Sequence, residues 1–127
     1  MRESRIQVPL RWRDLDLLGH LNQSVYHELL EEGRGALFAR LEDARFPFVL
    51  VRVELDYKHE VRRSAGHVDV VTRVESLGRS SVRLAESILL PSGDVAASGH
   101  AVLVAWDTEG RGSRELSEPE RAALTAS

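Results

Sequence analysis

Hydrophobic and polar positions alternate from the start of the chain. Over residues 5–13, Ile6, Val8 and Leu10 interleave with Arg5, Gln7 and Arg11, which predicts a half-buried strand. The alternation stops at Asp14-Leu15-Asp16-Leu17-Leu18-Gly19-His20, a polar stretch in which Gly19 marks a turn. From about Asn22 the period lengthens. Val25, Leu29, Gly33, Ala36, Leu37 and Leu41 recur at steps of three and four, while Glu28, Glu31, Glu32, Arg34 and Arg40 fill much of the rest. This predicts a long amphipathic helix, capped by Asn22 or Ser24 and stopped by Pro47 in the mid-forties. Glu31, Glu32 and Arg34 are expected on a solvated or subunit-facing stripe. Of Tyr26 and His27, one is expected in the core or an interface.

The rest of the chain returns to a period of two. Val49, Val51, Val53, Leu55 and Tyr57 alternate with Leu50, Arg52, Glu54 and Asp56. Val68, Val70, Thr72 and Val74 form a second such run, and Val82, Leu84 and Ile88 a third. Residues 101–106 are apolar on both faces, as in a central, covered strand. Ser117-Glu118-Pro119-Glu120 has capping-box spacing and predicts a short final helix. Short connections between the four late strands favour hairpins and antiparallel pairing.

The order is therefore strand, long helix, four strands (β-α-β-β-β-β). It predicts one α+β domain over residues 1–127, with a long antiparallel sheet of about five strands around one long helix. The lengths agree, since a helix of ~20 residues and a strand of ~9 residues both measure ~30 Å. One helix covers only part of one sheet face, so a homodimer or homotetramer is expected.

Composition narrows the function classes. The 127 residues carry a formal charge of −3, which argues against nucleic acid as the main partner. Cysteine is absent, which excludes disulfides, thiol nucleophiles and Cys-ligated metals. No apolar run reaches the length of a membrane span, and a cytoplasmic protein is expected. Nucleophile-elbow, phosphate-loop and dinucleotide-binding patterns are missing, and no two of the five histidines stand at i, i+4.

The segment from Asp14 to Ser24 holds carboxylates, a sharp turn and a helix start in close succession. A helix N-terminus offers unpaired N–H groups and a positive dipole end, which stabilise a developing oxyanion. A carboxylate a few residues earlier can face the same point. That pairing suits acyl transfer or hydrolysis. Read alone, Asp14 and Asp16 are more ordinary groups that hold a strand end and a turn.

The stretch RWRDLDLLGHLNQSVYHELLEEGR resembles the N-terminal signature of hotdog-fold acyl-CoA thioesterases of the 4-hydroxybenzoyl-CoA thioesterase family. Their pattern is Asp-x-Asp-x-x-Gly-His-x-Asn-Asn, followed by a Tyr and a Glu-Glu-x-Arg on the helix. Weaker agreement runs through VRVELDY and RVESLGRSSVRL to AVLVAWD. The resemblance implies hydrolysis of an acyl-CoA to a free acid and coenzyme A, with no metal and no cofactor. Asp16 matches the catalytic aspartate, acting as nucleophile or general base. The backbone N–H of Gln23 matches the oxyanion donor. Gly19 lets the loop turn, Asn22 fixes loop and cap, and His20 orients the loop or lines the thioester. Arg79, Ser80 and Ser81 match a segment placed near the pantetheine and phosphates, contributed by a neighbouring subunit to an interface site.

The sequence departs from the family where Gln23 replaces the second Asn, Gly66-His67 a common Gly-Asp, and Lys58-His59 a common Arg-Pro. The last two changes bear on acyl specificity. A hotdog hydratase or dehydratase is the first alternative, and the chain lacks the histidine-centred motifs of those enzymes. A non-catalytic acyl-CoA-binding module is the second. Trp12 and Trp106 are expected as packing residues.

Overall fold

The computed structural model describes residues 1–41 and 47–126. The first alternating segment forms strand β1 (Glu3–Pro9). It stops short of residue 13 because Trp12–Asp14 close a single 3-10 turn. The Asp14 carboxylate holds that turn by accepting the Arg11 backbone N–H at 2.8 Å and its guanidinium at 2.9 Å. Helix α1 (Gln23–Ala39) follows, with Asn22 as its cap; the Asn22 Oδ1 accepts the Ser24 N–H at 3.4 Å. The helix ends before the mid-forties, where the Arg40 N–H turns back to the carbonyls of Leu37 and Phe38. Residues 42–46 of the expected stretch lie outside the described residues.

Strands β2 (Phe48–Tyr57), β3 (His67–Leu77), β4 (Ser81–Leu89) and β5 (Val95–Asp107) follow, then a two-residue strand β6 (Gly112–Ser113) and helix α2 (Glu118–Thr125). All neighbours in the sheet are antiparallel, in the order β1-β3-β4-β5-β2, with β6 beside the end of β5. β5 lies inside the sheet between β4 and β2, as its doubly apolar pattern predicts. β2 and β3 are not a hairpin, contrary to the expectation from their short connection. The segment between them carries Val61 into the core, fully buried, and β2 pairs with β5 at the opposite edge.

Apolar side chains of α1 and the inner sheet face form two clusters. One joins Val25, Leu29 and Leu30 to Val68, Val70 and Ile88; the other joins Leu37 and Phe38 to Val82, Leu84 and Leu103. Full burial of a Leu such as Leu30 or Leu37 contributes roughly 1.5–3 kcal/mol. Helix and sheet meet closely at Gly33. A Cβ there would lie 2.6 Å from the Thr72 Oγ1 and 2.7 Å from the Val70 Cγ1, so only glycine fits.

Arg34 departs from the expected solvated stripe. It is buried between the two clusters, where its Nε and Nη2 donate to the Glu86 carboxylate of β4 at 2.7 and 2.8 Å. Trp12 also departs from expectation, being 74% exposed rather than packed, while Trp106 is half-buried. Tyr26 is the buried member of the Tyr26–His27 pair.

Helix α2 covers the end of the sheet near the C-terminus of α1. Ser117 and Glu120 form the capping box that the spacing predicts, at 2.8 and 3.2 Å. The fully buried Glu120 carboxylate also accepts two bonds from Arg114, at 2.8 and 3.0 Å. Among the described residues, no helix is long and apolar enough to cross a membrane.

Candidate active site

Between β1 and α1 the chain makes a small closed loop. Leu15 and Leu21 bridge across its base, the Asp16 N–H donates to the His20 carbonyl at 2.8 Å, and the Gly19 N–H donates to the Asp16 carbonyl at 3.1 Å. Gly19 has φ +77°, a conformation that side-chain-bearing residues rarely adopt. Inside this loop the Asp16 Oδ1 accepts the N–H groups of Leu18 at 2.8 Å and His20 at 3.1 Å. The carboxylate is thereby fixed, and its Oδ2 carries no hydrogen bond among the described residues. Two further bonds tie the loop down: Leu21 N–H to the Val61 carbonyl and Asn22 N–H to the Asp14 carbonyl, both 2.7 Å.

Asp14 is the anchor of this scaffold. Burial is the largest single influence on its carboxyl and raises it. The hydrogen bonds from the Arg11 side chain and backbone, with the Arg11 charge, together outweigh burial and hold it below the usual carboxylate range.

The amino end of α1 lies beside Asp16. The Asn22 side chain takes the Ser24 N–H and the Asn22 carbonyl takes the Val25 N–H, leaving the Gln23 N–H without an acceptor among the described residues. Asp16, His20, Gln23, Tyr26, Tyr57 and His59 line one open cavity of about 360 Å³. Tyr26 and Tyr57 meet edge to face at 4.9 Å between ring centres. Burial, and then the neighbouring Tyr57, push the Tyr26 hydroxyl above its ordinary value.

Sequence reasoning missed Glu60. Its Oε2 lies 2.7 Å from the His20 Nε2, and its Oε1 lies 3.1 Å from the Arg62 Nε. The backbones of His20 and Arg62 also bridge. Glu60 thus holds the imidazole at the mouth of the cavity. The two residues stand far apart in sequence, so no local spacing announces the contact.

The fold does not bring Arg79, Ser80 and Ser81 to Asp16 within one chain. They lie at the β3–β4 turn, whereas the Asp16 loop lies near the start of β3, where the Leu10 N–H meets the Gly66 carbonyl. The 11 residues of β3 separate the two ends by roughly 35 Å. Arg79 is 83% exposed and paired with Glu115. A larger groove, about 1040 Å³, runs between β1 and α1 over Ile6, Val8 and Leu29. Its rim of Glu28, Glu31 and Glu32 has the sign that repels an anionic substrate.

A family model for the thioesterase-like superfamily matches residues 10–124. The chain belongs to that superfamily. Among solved structures, a thioesterase from Thermus thermophilus, complexed with coenzyme A and zinc, is 34% identical. The match covers 94% of this chain and 90% of that one, with a TM-score of 0.86. A predicted thioesterase from Bacillus stearothermophilus is 26% identical over 96% of this chain and 93% of its own, with a TM-score of 0.87. The DHNA-CoA thioesterase of Staphylococcus aureus, 19% identical over 91% and 82% of the two chains, shares the fold at a TM-score of 0.79. No curated protein sequence matches this thioesterase.

The hotdog thioesterase family expected from the residues is therefore the family of this chain, and it is a thioester hydrolase. Its α+β architecture, with a curled antiparallel sheet, agrees with those neighbours. Among the described residues, no three His, Asp or Glu side chains of this thioesterase converge closely enough to share a metal ion.

Proposed function

We propose that this thioesterase hydrolyses an acyl-CoA at the Asp16 loop. The observation that carries the reading is the convergence of a fixed carboxylate and an unused amide. Asp16 and the Gln23 N–H face one cavity, and both are positioned by backbone bonds. In the general-base route, the Asp16 Oδ2 takes a proton from water as its oxygen bonds the thioester carbon. In the nucleophilic route, the same carboxylate oxygen bonds that carbon directly, and water then hydrolyses the mixed anhydride. Either way the carbonyl oxygen gains charge that the Gln23 N–H and the dipole of α1 stabilise. The C–S bond then breaks and coenzyme A leaves as the thiolate. His20, held by Glu60, borders the reacting carbon; Gly19 and Asn22 shape the loop.

The site is completed by a second copy of the chain. β2 is an outer strand of ten residues whose outer edge pairs with no other strand among the described residues, and it exposes Leu50, Val51 and Tyr57. Pairing of β2 with its symmetry mate buries that edge. Because such mates run in opposite directions, the Arg79 end of one subunit approaches the Asp16 end of the other. Arg79, Ser80 and Ser81 then reach the substrate from the partner, with α1 as the central helix of each hotdog unit.

The test is a panel of acyl-CoAs with released thiol as the readout, run on the wild type and Asp16→Asn. Turnover of at least one acyl-CoA that Asp16→Asn abolishes supports the reading. Undiminished turnover in Asp16→Asn overturns it.

A further inference from the structure

The loop end of the sheet carries an aromatic side chain that lies outside both core clusters of the described residues. Trp12 is 74% exposed, and the Arg63 guanidinium lies 4.9 Å from its ring centre. The 3-10 turn that carries it is fixed by the Arg11–Asp14 bonds, so the indole is held outward by construction. Three arginines next to it in sequence or in space, Arg13, Arg62 and Arg63, are exposed. The nearby carboxylates are already engaged: Asp14 with Arg11, and Glu60 with His20 and the Arg62 Nε. Arg63 enters no ion pair among the described residues. An exposed indole with the Arg63 guanidinium over its ring, and with Arg62 held to Glu60 through its Nε, suits a purine ring with phosphates.

Its position suits the substrate as well. Trp12 precedes Asp16 by four residues, at most about 14 Å of extended chain. An extended pantetheine arm covers that span. The segment bearing Arg62 and Arg63 is tied to the same loop by the His20–Arg62 bridge and the Leu21–Val61 hydrogen bond. Carboxylate, oxyanion donor and aromatic platform therefore share one scaffold.

We propose that Trp12, with Arg63 and Arg62, seats the 3′-phosphoadenosine diphosphate end of the coenzyme A thioester. This assignment rests on the acyl-CoA reading above; it places the nucleotide beside the loop of the same subunit and leaves the partner's Arg79, Ser80 and Ser81 to the pantetheine arm. The experiment presents one acyl group in two forms, as the coenzyme A thioester and as the pantetheine thioester, which lacks the nucleotide. Trp12→Ala and Arg63→Gln are expected to raise KM for the coenzyme A thioester roughly 5- to 100-fold. Their kcat/KM for the pantetheine thioester is expected to stay at the wild-type value, and Trp12→Phe to restore most of the loss.

Calorimetric titration with adenosine 3′,5′-bisphosphate gives an independent readout, expected to show binding to the wild type that Trp12→Ala loses. Equal losses on both thioesters, as from a fold or subunit contact of Trp12, overturn the assignment. So does the absence of any loss, or a wild type that does not bind the bisphosphate. A wild type that binds the bisphosphate through Trp12 but hydrolyses neither thioester sinks the hydrolase reading and leaves the nucleotide seat standing.

Discussion

The two ends of the sheet are finished in opposite ways. At the end near the Arg79 turn, α2 lies over the core, its Leu124 is fully buried, and Glu120 is satisfied by Arg114 and Ser117. At the Asp16 end, Trp12, Leu17 and Leu18 are 74%, 106% and 78% exposed, and the Gln23 amide has no acceptor among the described residues. The same sheet and helix thus carry one end closed by satisfied polar groups and one end left open around fixed ones. Groups held in place yet unpaired are what a reaction site needs, because they need not reorganise as charge develops.

The sharpest way to break this contrast is Asp16→Asn. It is expected to lower kcat about 10²–10⁴-fold while leaving the thermal midpoint unchanged, because the carboxamide oxygen still accepts the Leu18 and His20 N–H groups. A fall in midpoint matching the fall in rate would mean that Asp16 is structural. At the closed end, Glu120→Ala takes the carboxylate from Arg114 and from the Ser117 N–H, and is expected to destabilise the fold by about 1.5–3 kcal/mol in urea titrations. Its kcat, measured where the protein is fully folded, should match the wild type.

Asp14→Asn tests the anchor under the open end and is expected to cost about 1.5–3 kcal/mol at neutral pH. The Asp14 carboxyl is held below its ordinary value, so its contribution is present above the unfolded pKa of about 4 and is lost as pH falls through the lower folded value. The gap between mutant and wild type should accordingly hold above about pH 4 and narrow as the pH is lowered further. Gln23→Ala is the smallest change: kcat within about twofold, since the proposed donor is the main chain. A large loss there would give the side chain a role that the helix start does not.

How much of this was legible in the sequence depended on how far each contact reaches along the chain. Asp16, Gly19, Asn22 and Gln23 stand close together and act through local turns and one helix end, so their pattern carries their geometry. Ser117 and Glu120 are equally local, and their capping box formed as spaced. Arg34 misled because a charge within a helix reads as solvated, and its partner Glu86 is 52 residues away. Glu60 escaped notice for the same reason. Trp12 reads as core by its size alone, whereas the Arg11–Asp14 turn points it outward. Short connections favour paired neighbours, but the one between β2 and β3 carries the buried Val61 into the core beside α1, and β2 pairs with β5 instead.

The Arg34–Glu86 pair has a consequence beyond this one chain. Removing either partner strands a bare charge in a dry interior, whereas replacing both with apolar groups of similar size is often neutral or stabilising. The two positions are therefore expected to drift through evolution as a unit, changing together or not at all. Among relatives, a lone substitution at either position should be scarcer than a matched swap.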